Sequence, residues 1–276
     1  MTFKEIVFSS DTKHRKQWFT GLSFSHPGKM MLPLQLYLID RYTQPRDIIL
    51  DPMAGSGTLL VACSLGRHVI CVELEQKFVD MQKGNWEKIQ QRGPQMGYQM
   101  GTATILQGDA RNLAGILADK IDAVVTSPPY EGSISGIDEE AREREKDWLR
   151  RQGKNPDTHS CIVNPSQYSA EGNNIGNLKS QSYLEAMLQV YQQCYEVLRP
   201  QGLMILVTKD FIRNKQRVFL SIDTIKLCEQ AGFVLEDWHE RKLTQQSFWR
   251  VIYRQKFPDA PVIDYEDVLV FKKLKV

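Results

Sequence analysis

The stretch DIILDPMAGSGT, running from Asp47 to Thr58, decides the fold class. Asp47–Asp51 is a short apolar run between two acids, and it reads as a buried strand. At Pro52 it breaks into a turn in which Gly55 and Gly57 supply positive φ. They also offer backbone without a Cβ, so a ligand can approach closely. The apolar run Leu59–Leu65 follows and reads as a helix. Strand, glycine turn and helix together open a βα unit. The bland reading of a single Gly-x-Gly is an ordinary βα turn. A phosphate-cradling P-loop is excluded, because no Lys-Ser or Lys-Thr pair follows the glycines. Leu60 stands where a dinucleotide fingerprint has its third glycine.

Working outward, short apolar runs alternate with amphipathic stretches. Further strands are expected at His68–Leu74, Thr102–Asp109, Asp122–Ser127, Gly202–Lys209, Phe233–Leu243 and Glu266–Lys273, making seven with the first. Helices are expected at Glu75–Gln90, Tyr183–Leu198 and Ser221–Ala231. In the second of these, Leu184, Met187, Leu188, Tyr191, Tyr195 and Leu198 share a face. Ser182 and Glu185 stand at capping-box spacing, and Pro200 with Gly202 closes it. The pattern predicts an α/β fold, a mostly parallel sheet with helices on both faces, in one domain spanning 1–276. Gln91–Gly101 reads as a loop. The region 131–180, about fifty residues with few apolar clusters, reads as an inserted functional loop.

Composition narrows the class. At 42% hydrophobic and 25% charged, the 276 residues suit a globular chain with one sizeable core. No apolar run approaches the ~18 residues of a membrane span, and the N-terminus lacks a secretory pattern. The five cysteines fall singly, without CxxC spacing, so neither a metal site nor a disulfide framework is expected and a cytoplasmic location is. A net charge of +2 does not by itself announce a nucleic-acid partner.

Three acids end successive strands. Asp51 precedes the glycine turn, Glu73 closes the second strand and Asp109 the third. Each alone is commonly a solvated strand end. Together they predict one nucleoside pocket at the carboxyl edge of the sheet, with Glu73 on ribose hydroxyls and Asp109 on an adenine amine. The fourth strand ends in Thr126-Ser127-Pro128-Pro129-Tyr130. That ending resembles the DNA amino-methyltransferases, and the resemblance implies an aromatic exocyclic amine as acceptor, a weak nucleophile because its lone pair is delocalised into the ring. The Ser127 hydroxyl and the Pro128 carbonyl, held against its hydrogens, would draw the nitrogen toward a tetrahedral, nucleophilic shape. Pro128 and Pro129 fix the backbone, and Tyr130 can stack on a base turned out of its helix. No cysteine follows a proline, which disfavours covalent attack at a cytosine ring carbon.

DPMAGSGT paired with TSPPY resembles the DNA amino-methyltransferases, which modify N4 of cytosine or N6 of adenine. His26-Pro-Gly-Lys29, followed by Pro33, resembles that family's N-terminal motif beside the methionine part of the cofactor. The resemblance spans roughly positions 26 to 210. It implies a Rossmann-like methyltransferase fold of seven strands with the last antiparallel, and S-adenosylmethionine as cofactor. On its motifs, cofactor contacts fall on His26, Lys29, Asp51, Met53, Ala54, Gly55, Ser56, Gly57, Thr58, Glu73, Leu74, Gly108, Asp109 and Ala110, and catalysis on Ser127, Pro128, Pro129 and Tyr130. Ser127 tilts the expected target toward cytosine N4 ahead of adenine N6.

Double-stranded DNA is the expected partner. A cognate restriction endonuclease and a homodimer are compatible with the resemblance. Expected phosphate contacts are Lys209, Arg213, Lys215 and Arg217 after the fifth strand, Arg250 and Arg254 after the sixth, and Arg150 and Arg151 in the insertion, the candidate target-recognition segment. Methylation of an RNA base amine, methylation of a protein glutamine and an inactive cofactor-binding subunit remain as alternatives.

Overall fold

The computed structural model describes residues 4–6, 11–26, 28–118, 120–131, 139–153, 174–244 and 248–274. Its strands are β1 (Lys4–Ile6), β2 (Ile48–Asp51), β3 (His68–Glu73), β4 (Ala103–Gln107), β5 (Ile121–Thr126), β6 (Leu198–Thr208), β7 (Phe211–Arg213), β8 (Gln216–Val218), β9 (Phe233–Lys242) and β10 (Tyr265–Lys273). Eight of them form one sheet in the order β1-β9-β10-β6-β5-β2-β3-β4, and β7 pairs with β8 as a separate antiparallel hairpin. Strands β4, β3, β2, β5 and β6 are mutually parallel. β10 runs antiparallel between β6 and β9.

The seven expected strands are all present, and this is the Rossmann-like methyltransferase fold. The eighth member, β1, is a three-residue edge strand parallel to β9. Too short to show an alternating pattern, it left no signal in the sequence. From β2 the chain winds outward to β3 and β4, then crosses back to β5 on the other side. That reversal opens a crevice at the carboxyl ends of β2 and β5, where such sheets bind ligands.

The helices are α1 (Thr12–Trp18), α2 (Leu32–Tyr42), α3 (Gln76–Arg92), α4 (Leu113–Ile116), α5 (Glu139–Arg151), α6 (Ser180–Val197), α7 (Leu220–Gln230) and α8 (Phe248–Lys256). Two cores lie on the two faces of the sheet. One joins Leu34, Leu38, Leu60 and Ile89 to Ile49 and Val125. The other joins Leu113, Met187, Val190 and Cys228 to Leu50 and Val124. Adjacent residues of one strand thus enter opposite cores, as the two-residue period of a strand dictates.

Three expectations are corrected. The run after the glycine turn is a 3-10 helix, Thr58–Leu65, buried along its whole length. Being apolar all round, it carries no amphipathic period from which the tighter winding could be told. The capping box does not form. The helix starts at Ser180 with Lys179 as its cap, and Ser182 instead donates to the Lys179 carbonyl at 2.8 Å. Pro200 and Gly202 do not end a helix before a strand; both lie inside β6, with Gln201 at φ 68° and a register shift opposite Ile121/Ala123. They form a bulge.

Within the insertion, α5 is a charged helix with Lys146–Glu143 and Arg150–Asp147 ion pairs at 2.6 and 2.7 Å. Residues 132–138 and 154–173 of the insertion lie outside the described residues. Among the described residues no helix is long and apolar enough to cross a membrane.

Candidate cofactor and acceptor site

The glycine turn is built from the ends of β2 and β3. Asp51 Oδ1 accepts from the Thr126 hydroxyl at 2.7 Å and from the Met53 N–H at 3.2 Å, which ties β2 to β5. Burial pushes the Asp51 carboxyl up to about 7, partly offset by those two hydrogen bonds. Gly55, at φ 49°, donates its N–H to Glu73 Oε2 at 2.8 Å, while Glu73 Oε1 accepts from the Glu75 N–H at 3.0 Å. Glu73 therefore holds the turn as well as facing the pocket. A carboxylate has about four lone-pair positions, so hydroxyls of a ligand can still be accepted.

His26 closes the other side of the turn. A Cβ on Gly55 would sit 2.7 Å from the His26 ring. The ring Nδ1 donates to the Gly28 carbonyl at 2.6 Å, and its edge meets Phe78 at 4.5 Å between centroids. Burial, with Lys29 nearby, lowers the His26 pKa to about 3, so the ring is neutral.

These groups line a cavity of about 560 Å³ that also contains Ser127, Pro128, Pro129 and Tyr130. The glycine turn and the serine-proline corner thus face one space from neighbouring strands. Of the expected cofactor contacts, His26, Lys29, Asp51, Met53, Ala54, Gly55, Ser56, Thr58, Glu73, Leu74, Gly108, Asp109 and Ala110 line it. Gly57 does not. Its φ of 75° and a hypothetical Cβ 2.8 Å from Gln82 show a packing role behind the turn.

Asp109 faces the cavity while bound by Arg111 at 2.5 Å. Burial raises its carboxyl, but the Arg111 hydrogen bonds prevail and hold it below the usual range. Gln35, Glu75, Phe78, Asn174, Ile175 and Glu266 line the cavity without having been singled out in the sequence. Glu75, two positions after Glu73, and Phe78, in the first turn of the helix that follows, lie close to it in sequence; Gln35, Asn174, Ile175 and Glu266 arrive from distant elements.

The corner is anchored from behind. The Tyr183 hydroxyl donates to the Pro129 carbonyl at 2.9 Å. Glu131 is paired with Arg213 at 2.8 Å and accepts from the Ser180 N–H. Lys209 lies 5.1 Å from the centre of the Tyr130 ring. Burial, with Glu266 nearby, raises the Tyr130 hydroxyl well above its ordinary pKa, so the phenol stays neutral. Glu266 itself is held by Arg241 at 2.6 Å.

The expected basic rim divides. Lys209 enters the cavity. Arg213, Lys215 and Arg217 fall on the β7–β8 hairpin and its turn, but Arg213 and Arg217 are paired with the buried carboxylates of Glu131 and Asp210. The Lys215 ammonium lies 4.7 Å from the Phe257 ring. Arg254 is exposed on α8, and the Arg250 side chain lies outside the described residues. On α5, Arg150 is ion-paired and Arg151 is exposed.

The donor set fits S-adenosylmethionine, the cofactor of this fold. Carboxylates at three strand ends suit hydroxyls, an amine and a positive charge. The Gly55 backbone leaves no room for a side chain, and the buried Gln35 Oε1 has no hydrogen-bond partner among the described residues. Comparison with known proteins agrees: residues 3–84 match the model of the DNA methylase family. The N-terminal third of the chain, through the glycine turn and β3, is what that similarity covers.

Two curated proteins are also similar to this chain. It is 28% identical over 144 residues to the tRNA (guanine(10)-N2)-dimethyltransferase of Methanothermobacter thermautotrophicus, covering 51% of this chain and 38% of that protein. Over 128 residues it is 28% identical to the ribosomal protein L11 methyltransferase of Staphylococcus carnosus, covering 44% and 38%. The matches span little more than a third of either relative's length.

Similar solved structures include TrmN from Thermus thermophilus, with TM-score 0.46, 16% identity, and 92% and 52% of the two chains covered. A methyltransferase from Pyrococcus furiosus gives TM-score 0.48 and 11% identity, covering 97% and 100%.

Proposed function

We propose that this protein transfers a methyl group from S-adenosylmethionine to an exocyclic amine of a nucleic-acid base, with N4 of a DNA cytosine ahead of N6 of adenine. The observation that carries the reading is the shared cavity: Asp51, Gly55 and Glu73 face the same space as Ser127 and Tyr130. When bound, S-adenosylmethionine supplies an electrophilic sulfonium methyl group. The chain's own residues then have the task of presenting a nitrogen to it. Ser127 Oγ and the Pro128 carbonyl accept the two amine hydrogens and stabilise the positive charge that develops on nitrogen. Tyr130 supplies the stacking surface, and Lys209 stays beside its ring. Holding both partners in line removes much of the entropic barrier.

A second reading, methylation of an RNA base amine, is favoured by one finding: a relative that matches half of this chain is named for a tRNA guanine amine. One experiment separates the two. The protein is incubated with labelled cofactor and, in parallel, duplex DNA, transfer RNA and ribosomal protein. Nuclease or protease digestion and mass analysis follow. Label in N4-methyl-2′-deoxycytidine or N6-methyl-2′-deoxyadenosine supports the first reading, label in RNA nucleosides the second, and label only in protein overturns both.

A further inference from the structure

We propose that Tyr183, Glu131 and Arg213 form a positioning clamp that sets the angle of the serine-proline corner, so that Arg213 serves the corner rather than substrate phosphate. The proposal rests on the methyl-transfer reading above and extends it to residues outside the motif.

Three anchors converge on five consecutive residues. Pro128 and Pro129 have their φ angles fixed by their rings, so the orientation left open is that of the peptide planes on either side of Pro129. Tyr183, a residue 2% exposed, donates its hydroxyl to the Pro129 carbonyl at 2.9 Å and fixes one of those planes. Immediately beyond Tyr130, the Glu131 carboxylate is taken by the Arg213 guanidinium at 2.8 Å and by the Ser180 N–H. Tyr183 and Ser180 both lie in the first turns of α6, while Arg213 comes from β7. Tyr130 is thus gripped on its N-terminal side through Pro129 and on its C-terminal side through Glu131, by residues of two separate elements.

The Pro128 carbonyl is one peptide unit from the Pro129 carbonyl. An acceptor that must lie in line with an amine hydrogen tolerates little drift, since a misplacement of about 1 Å can cost roughly a hundredfold in rate. Arg213 had been expected to contact phosphate. Its charge is instead engaged by a Glu131 side chain that is only 7% exposed. An arginine used for phosphate gains little from being held by a buried carboxylate beside the corner. One that orients a loop requires it.

The test compares Tyr183→Phe, Glu131→Gln and Arg213→Gln with the wild type in two assays. The first needs no substrate: hydrogen exchange of the segment that contains the Tyr130 and Glu131 amides, with and without cofactor. The clamp predicts faster exchange there in all three variants, with cofactor Kd within about twofold of wild type. The second is methyl transfer to whichever polymer the wild type labels. A fall in kcat of roughly ten- to a hundredfold with unchanged polymer KM is expected for Tyr183→Phe and Glu131→Gln.

Glu131→Gln decides the role of Arg213, because it takes the carboxylate's charge out of the clamp while leaving the cation in place. If Glu131→Gln keeps full kcat while Arg213→Gln raises KM and flattens its salt dependence, Arg213 is a phosphate contact and the proposal fails. Unchanged exchange in all three variants also overturns it. A wild type that labels no polymer would refute the methyl-transfer reading, while the exchange assay would still report on the clamp.

Discussion

At the scale of single residues, Asp51 is the most informative group. Its carboxyl is raised from 3.8 to about 7, chiefly by burial. A carboxyl whose folded pKa lies above its unfolded value stabilises the ligand-free fold fully below 3.8, and that contribution is lost as pH rises through about 7. A positively charged cofactor reverses the preference, because it favours the ionised form. Cofactor affinity is therefore expected to rise by about tenfold between pH 6 and pH 8, with release of a proton on binding. Calorimetry in two buffers of different ionisation enthalpy measures that proton, and Asp51→Asn should abolish both the release and the pH slope.

Gly55 gives a second prediction at this scale. At φ 49°, with a Cβ destined to fall 2.7 Å from the His26 ring, Gly55→Ala is strained in both backbone and packing. It is expected to weaken cofactor binding by more than tenfold, which equilibrium titration would reveal. Ser127→Ala should do the opposite, cutting methyl transfer by roughly a hundredfold while cofactor affinity stays within a factor of two. Equal losses in rate and affinity for Ser127→Ala would remove its assigned role.

At the scale of elements, legibility followed how locally each element is encoded. DIILD, HVICVE and DAVVT announced β2, β3 and β5 because a strand buried on both faces reads as a nearly unbroken apolar run. The β7–β8 hairpin escaped notice for the converse reason. Its strands are three residues each and partly exposed, and its turn residues Asn214 and Lys215 adopt φ of 51° and 63° without a glycine. Asp51, Glu73 and Ser127 were readable because each stands at the end of an apolar run. Gln35, Asn174 and Glu266 reach the cavity through tertiary packing alone.

The hairpin turn packs on α8, where the Tyr253 hydroxyl accepts from the Lys215 N–H at 3.3 Å. Lys215 and Arg254, unlike Arg213 and Arg217, have no carboxylate partner among the described residues. If this edge contacts a nucleic acid, Lys215→Gln with Arg254→Gln should lower the salt slope of log KM by about 1–2, since each phosphate contact contributes about 0.9. A slope equal to that of the wild type would place the polymer elsewhere.

At the scale of the whole molecule, stability and ligand binding are built from different parts, and Arg67 tests that separation. This side chain is 2% exposed, at the start of β3 and on the edge of the sheet opposite the cavity. It donates to the Thr43 hydroxyl at 3.0 Å and to the Leu65 and Thr43 carbonyls at 2.6 and 2.8 Å, joining the end of α2 to the 3-10 helix. Arg67→Ala would leave those buried acceptors unpaired and open a void, costing roughly 3 kcal/mol. None of its partners lines the cavity, so cofactor Kd should be unchanged. Cofactor at a hundred times its Kd stabilises the native state by about 2.7 kcal/mol. The variant saturated with cofactor should therefore melt close to the ligand-free wild type. Thermal melts over a cofactor titration give both quantities at once. A shifted Kd would mean that the two edges of the sheet are energetically coupled, and that the cavity draws on packing well beyond its lining.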